Sequence, residues 1–385
     1  MNKERVKELM IYIHIPFCVR KCLYCDFLSA PADDATKAQY MEALCREIEG
    51  KCSVYGDYKV TSIFFGGGTP TAVEAEALCR VLLLIKEKFE VSTEAEITIE
   101  MNPGTVTEEA LRRYKAGGIN RVSLGLQSTY NKELQSLGRI HTYEQFLDTY
   151  KLVREAGFYN VNIDLMSALP GQDTETYKAS LDKIVSLSPP PEHISAYSLI
   201  IEEGTPFYEA YEKGELELPS EDAEREMYHL TKRYLKEHGY ERYEISNYAK
   251  PGKECRHNIG YWQRKNYVGF GVGAASLVQN ERFFNEVELQ EYLKKPCECE
   301  VNRRILSVEE QIEEYMFLGL RMCQGVSEKH FEQRFGTGLA KIYGQVIEKH
   351  MKNGLLERNG EWLMLTDTGL DVSNYVMADF LEPQI

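Results

Sequence analysis

No stretch of this 385-residue chain holds the roughly 18 consecutive apolar residues that a membrane-spanning helix requires; the run 81–85 is typical of its longest. A cationic excess is missing too. There are 45 lysines and arginines against 60 aspartates and glutamates, a formal charge of −15, and phosphate binders need the opposite sign. Glycine (28) and proline (13) are too few for collagen or a low-complexity chain, and no repeat of solenoid length recurs. No secretory leader is evident. Lys3, Arg5 and Lys7 imitate its basic head, but His14 and Pro16 break the apolar part and no small-residue cleavage site follows. The expectation is a cytoplasmic protein. In that reducing compartment, ten cysteines point to metal or redox chemistry where they cluster.

What the chain has is alternation. Runs at 10–16, 61–65, 95–101, 121–127, 160–168 and 193–200 are rich in Ile, Val, Phe or Tyr and read as strands. Helical stretches at 35–49, 72–89, 107–116, 143–156 and 174–187 lie between them. Such alternation predicts an α/β fold with a parallel sheet, open or curled into a barrel. The prolines at 189–191 read as a stiff connector. A helix is expected at 220–238, a strand-like run at 240–248 and a glycine-rich run at 268–275. The charged stretch 281–304 is taken as a boundary. Beyond it, helices at 307–323 and 338–353, a hairpin through 354–366 and a helix at 368–380 outline a small winged-helix unit. The expected division is 1–235, 236–305 and 306–385. Such a unit suggests DNA, but Glu348 interrupts Lys341, Lys349, His350 and Lys352, so no nucleic-acid partner is expected.

Cys18-x3-Cys22-x2-Cys25 is the strongest chemical signal. Thiolates suit zinc and iron–sulfur clusters. Structural zinc takes four ligands, and no fourth cysteine or histidine stands nearby with knuckle spacing; position 27 is Phe. Three ligands on a 4Fe–4S cluster leave one iron open. A zinc site completed from a distance is the alternative. The remaining cysteines read as bland. Cys45, Cys52 and Cys79 lie in or beside helices, and Cys297 and Cys299 read as exposed thiols in a charged loop.

The run from Tyr12 through Cys18 and Cys22 to Tyr24 and Cys25 resembles the motif of the radical S-adenosylmethionine (SAM) family. It is most similar to the branch that holds oxygen-independent coproporphyrinogen III oxidase and the heme chaperones. The resemblance spans essentially the whole chain and implies a partial (β/α)6 barrel with a small C-terminal domain. In that family the open iron binds the methionine end of SAM, and one electron cleaves it to methionine and a 5′-deoxyadenosyl radical. The protein supplies positioning and exclusion.

The resemblance also picks out residues at expected strand ends, where barrel sites are built. Gly67, Gly68 and Thr69 in the Gly-Gly-Gly-Thr-Pro turn match the SAM-contacting loop. Glu100, Gln127, Asp164 and Arg139 follow in the family's order. A carboxylate accepts from ribose or ammonium groups, and Arg139 would clamp the methionine carboxylate. Tyr12 and Tyr24 match aromatic contacts. Taken singly, each reads as a strand-end or capping group.

Three departures bear on activity. The oxidase motif has a fourth cysteine where this chain has Phe27. The oxidase carries a longer N-terminal segment, whereas nine residues precede the first expected strand here. The segment Cys255-Arg-His257-Asn258-Ile-Gly-Tyr261-Trp262 contains H-N-x-x-Y-W, which resembles the heme-binding signature of the chaperones. His257 is then the expected axial ligand, with Asn258, Tyr261 and Trp262 beside the porphyrin and Cys255 as alternative ligand. The resemblance implies a heme chaperone that delivers to apo-hemoproteins, typically membrane-bound respiratory ones. Membrane contact would come through the client, an electron donor is implied if SAM is cleaved, and a homodimer is left open. The alternative is a radical enzyme acting on a tetrapyrrole.

Overall fold

The computed structural model describes residues 7–381. In β1 (Glu8–Ile15), Leu9, Ile11, Ile13 and Ile15 are wholly buried, as strands covered on both faces demand. There follow α1 (Asp34–Tyr55), β2 (Lys59–Gly67), α2 (Ala75–Lys88), β3 (Glu90–Met101), α3 (Glu108–Gly117), β4 (Arg121–Gln127), α4 (Asn131–Ser136), α5 (Tyr143–Glu155), β5 (Val161–Ser167), α6 (Thr174–Val185) and β6 (His193–Ser198). Helix starts are set by side chains. Asp33, Thr107, Thr142 and Asp173 each accept the N–H three residues on. Strands β1 to β6 lie side by side in chain order, all parallel, and form a partial (β/α)6 barrel. The proline connector is held by its carbonyls: Pro189, Pro190 and Pro191 accept from Tyr150, Arg154 and Tyr240 at 2.6, 3.0 and 2.7 Å.

The sheet continues past the six expected strands. After α7 (Pro206–Glu212) and α8 (Glu221–Glu237) come β7 (Glu241–Arg242), β8 (Asn247–Ala249), α9 (Arg256–Trp262), β9 (Tyr267–Phe270), β10 (Ala275–Val278), β11 (Glu281–Asn285), α10 (Leu289–Lys294) and β12 (Glu300–Ile305). The order across the sheet is β12-β11-β10-β9-β1-β2-β3-β4-β5-β6-β8-β7. The glycine-rich run thus yields a strand parallel to β1. The charged run 281–304 is edge structure of the same sheet, with Phe283 buried and Arg303 and Arg304 exposed. Charges on an edge strand prevent further pairing, so the pattern that suggested a linker is edge protection. Buried Glu47 on α1 ties this edge down, accepting from Lys51, Asn285, Tyr292 and the N–H of Gly271 at 2.7–2.9 Å.

The C-terminal unit runs α11 (Val308–Gly319), β13 (Val326–Ser327), α12 (Glu328–Phe335), α13 (Leu339–Lys352), β14 (Leu356–Asn359), β15 (Trp362–Leu365), α14 (Asp367–Asp371) and α15 (Ser373–Ala378). It has its own core around Met316, Phe331, Leu363 and Phe380, and a three-stranded sheet, β13-β15-β14. Helix α12 was not expected from the sequence, and the expected helix 368–380 is broken at Val372. Arg264 and Glu314 join the unit to the sheet through a buried ion pair at 2.7 Å. Among the described residues, no helix is long and apolar enough to cross a membrane.

Candidate metal centre

The loop after β1 carries Cys18, Cys22 and Cys25 to the C-terminal end of the strands. All three face one cavity, together with Tyr24, Gly67, Gly68, Thr69, Glu100, Gln127, Arg139 and Asp164. Residues contributed by β2, β3, β4 and β5 and by two loops therefore converge. The cavity encloses about 970 Å³ including its mouth, at the upper end of small-ligand pockets. Among the described residues, no three His, Cys, Asp or Glu side chains are gathered to hold a single metal ion. A cubane cluster asks for thiolates spaced around a larger body. Burial, more than the neighbouring thiols, raises the Cys25 pKa.

The glycine turn shows why side chains are missing there. A Cβ on Gly68 would meet the Phe17 carbonyl oxygen at 2.7 Å and Cys18 Sγ at 3.0 Å. Gly67 has φ +110°, and a Cβ there would strike the His14 ring at 2.6 Å. Thr69 is buried, points its hydroxyl at Cys18 Sγ (3.5 Å) and accepts from Asn102 Nδ2 at 2.7 Å. Gln127 adopts φ +72°, a left-handed conformation costly for a non-glycine, at a bulge between β4 and β5.

Arg139 donates to Asn102 Oδ1 (2.7 Å), to the Gly125 carbonyl and to Cys22 Sγ (3.5 Å). Its Nε is buried without a partner. An orphaned guanidinium N–H beside a cavity suits an incoming carboxylate. Two carboxyl groups line the same cavity. Glu100 is raised to about 8 by burial and then by Asp164, against a backbone hydrogen bond from Gly67. Asp164 is raised by burial, countered mainly by Asn162 at 2.7 Å. A pair of desolvated carboxyls suits a ligand that brings positive charge. The residues present therefore fit a three-cysteine cluster with SAM beside it.

Tyr12 does not line the cavity. Its hydroxyl bonds His14 Nδ1 at 3.0 Å and its ring lies 6.4 Å from Phe64; burial, then Glu100, holds the phenol protonated. Asn102 escaped the sequence reading although it bridges Thr69 and Arg139. Its signal was its place two residues after Glu100, at the end of β3.

His257 and its neighbours lie elsewhere, on α9. The imidazole is buried, with Nδ1 on Ser62 Oγ (2.8 Å), Nε2 on Tyr261 OH (3.1 Å) and the ring stacked on Phe64 at 5.1 Å. Burial, then Arg121, lowers its pKa to about 3. Both ring nitrogens of His257 are thus hydrogen-bonded within the protein. The physical reason is that α9 packs its histidine face onto β2 and leaves Trp262 and Asn258 only half-buried. Cys255 is also buried, with its thiol 3.6 Å from Glu96 and raised to about 12 by burial. Of the other pair, Cys297 is exposed but Cys299 is buried, a correction to the expected exposed loop.

Cavity and fold together define a radical SAM protein. Residues 12–184 match the radical SAM superfamily and residues 306–372 match the HemN C-terminal domain. The heme chaperone HemW of Lactococcus lactis is 38% identical over 371 residues, covering 96% of each chain. That of Bacillus subtilis is 36% identical, covering 96% of this chain and 98% of its own. The coproporphyrinogen III oxidase (HemN) of Escherichia coli, a radical SAM enzyme, shares the fold at a TM-score of 0.85 over 98% of this chain and 91% of its own, at 23% identity. This chain belongs to the HemW family.

Proposed function

We propose that this protein is a heme chaperone that binds a 4Fe–4S cluster, SAM and heme and delivers heme to apo-hemoproteins. Cys18, Cys22 and Cys25 would hold the cluster. When bound, such a cluster supplies the electron that cleaves SAM. Arg139 would take the methionine carboxylate. Gly67, Gly68 and Thr69 give the turn that lets the backbone approach the ligand, Asn102 orients Arg139, and Glu100 and Asp164 accept from the ammonium or ribose groups. Gln127 and Tyr24 would complete the SAM wall, and Tyr12 would act through His14, which it hydrogen-bonds and whose ring packs against Gly67.

On this reading residues 1–235 bind cluster and SAM, 236–305 carry the heme-side motif of His257, Asn258, Tyr261 and Trp262, and 306–385 meet a partner. The clients would be membrane-bound respiratory proteins met from the cytoplasm, and cleavage of SAM would need an external electron donor. What carries the reading is the coincidence, in one chain, of a three-thiol cavity with full-length similarity to proteins named heme chaperones. The exposed Phe27 supports it over an oxidase, because that position lacks the extra thiol of the oxidase motif.

The test uses one anaerobically reconstituted preparation. Heme is titrated and followed by the Soret band. Coproporphyrinogen III is then supplied with SAM and a reductant. Stoichiometric heme binding without protoporphyrinogen is the expected result. Deoxyadenosine formed only when a tetrapyrrole substrate is present, with no specific heme binding, would overturn the chaperone reading in favour of a radical enzyme.

A further inference from the structure

Behind the thiol cavity, a buried hydrogen-bond chain runs from Asp164 to the head of α9. Asp164 Oδ1 accepts from Asn162 Nδ2 at 2.7 Å. The same Nδ2 donates to Ser123 Oγ at 2.8 Å, and Ser123 Oγ donates to Asp164 Oδ2 at 3.4 Å. On its other side, Asn162 Oδ1 faces His193 Nδ1 at 2.6 Å and accepts from Ser195 Oγ at 3.1 Å. His193 Nε2 lies 2.9 Å from the Tyr243 hydroxyl, and that oxygen accepts from the Cys255 N–H at 3.3 Å. Asn162, His193 and Cys255 are all buried. Strands β4, β5 and β6, the turn between β7 and β8, and the start of α9 are thus joined.

The chain has one direction. Burial, then Arg121, keeps the His193 imidazole neutral, so it carries a single N–H. Asn162 turns its amide N–H groups to Asp164 and Ser123, which leaves its oxygen toward His193. The imidazole proton therefore sits on Nδ1, and the bare Nε2 takes the Tyr243 O–H. Burial holds that phenol protonated. From the Cys255 N–H through Tyr243, His193 and Asn162, every donor points toward Asp164. Reversing the Asn162 amide would set its oxygen against the carboxylate and its N–H groups against the imidazole N–H, so the two ends enforce each other. Glu100, the second carboxyl of the cavity, takes a backbone hydrogen bond from Gly67 instead.

We propose that His193 and Tyr243 are positioning residues for SAM: through Asn162 they hold Asp164 as a charged acceptor for an N–H or O–H donor of the ligand. The proposal rests on the reading of the cavity as a SAM site. Asp164 and Ser123 line that cavity, whereas Asn162, His193 and Tyr243 do not, so their effect on the ligand passes through Asp164. Of the two carboxyls that share the cavity, Asp164 keeps the charge and Glu100 the proton. The other charged or titratable groups around Asp164 are Glu100 on β3, Arg121 on β4, Tyr197 on β6, and Tyr24 and Arg139 from loops. The substitutions below leave all of these in place, so a difference between variant and wild type reads Asp164.

The test is a calorimetric titration of SAM into the full-length, cluster-reconstituted protein between about pH 6 and pH 9, with circular dichroism and the cluster spectrum as folding controls. His193→Leu removes the donor to Asn162, so Asp164 takes up a proton more readily as pH falls. Its SAM Kd should rise about tenfold over wild type at the acid end, and by less at the alkaline end. His193→Asn returns an amide donor near the place of the imidazole Nδ1 and should recover most of that loss. Tyr243→Phe deletes a single oxygen, so it decides the matter if His193→Leu does not fold; it should shift the pH profile in the same direction. If wild type binds SAM and the folded variants match it across the pH range, the positioning role falls and the SAM site stands. A Kd raised equally at every pH, and not rescued by asparagine, would overturn the role as a loss of packing alone. If wild type binds no SAM, the reading of the cavity falls and this inference with it.

Discussion

At the scale of single residues, Glu100 should report its surroundings in the protein without SAM. Its pKa is raised from 4.5 to about 8, by burial first and Asp164 second. Between those values the folded state keeps a proton that the unfolded chain has lost. The stability Glu100 contributes is therefore fully present below pH 4.5 and is lost as pH rises through about 8. Glu100→Gln should flatten that fall, seen as a midpoint difference from wild type that changes between about pH 6 and pH 9; parallel curves would contradict the assignment. Arg139→Lys keeps the charge but loses the planar fork. It should weaken SAM binding by about 1.5–3 kcal/mol, the range for a charge-assisted hydrogen bond, measured by calorimetry. Replacing Cys18, Cys22 or Cys25 by serine should abolish the 4Fe–4S absorbance; an intact spectrum would sink the cluster assignment.

At the scale of elements, the glycine turn after β2 is the part most sensitive to one methyl group. Gly68→Ala places a Cβ 2.7 Å from the Phe17 carbonyl and 3.0 Å from Cys18 Sγ, so the cysteine loop must move. Lower cluster occupancy with an unchanged circular dichroism spectrum is the expected outcome, checked by iron and sulfide analysis. The six parallel strands were legible because each is a run rich in β-branched or aromatic residues, and most are followed by a helix that a Thr or Asp side chain caps. Helices α4 and α7, of six and seven residues, were not, because so short a stretch shows too little periodicity. Strands β11 and β12 were hidden by the charges that protect the sheet's edge. In the cavity, the cysteine spacing and glycine turn stood out in the sequence. Asn102 did not, since an asparagine after a strand is an ordinary turn residue until Thr69 and Arg139 are seen on either side of it. The surroundings of His257 were hidden for a related reason. Sequence shows an aromatic-flanked histidine but not that Ser62, brought in by β2, occupies its Nδ1.

At the scale of the molecule, the barrel and the C-terminal unit are joined through Glu314, which accepts from Arg264 at 2.7 Å and Arg282 at 2.5 Å. Glu314→Ala leaves the buried Arg264 guanidinium without its counter-charge and should cost about 3–5 kcal/mol. Hydrogen exchange should then accelerate in α11 and in α12, whose Phe331 packs on Tyr315 at 5.6 Å. The thiol cavity opens among the strand ends and no residue of α9 lines it, so on the proposed reading SAM and heme should not compete. The most direct test is the electron paramagnetic resonance signal of the reduced cluster, recorded with SAM, with and without one equivalent of bound heme. The account predicts that SAM shifts the signal and that heme leaves the shifted signal in place. A signal insensitive to SAM, or a shift abolished by heme, would contradict it.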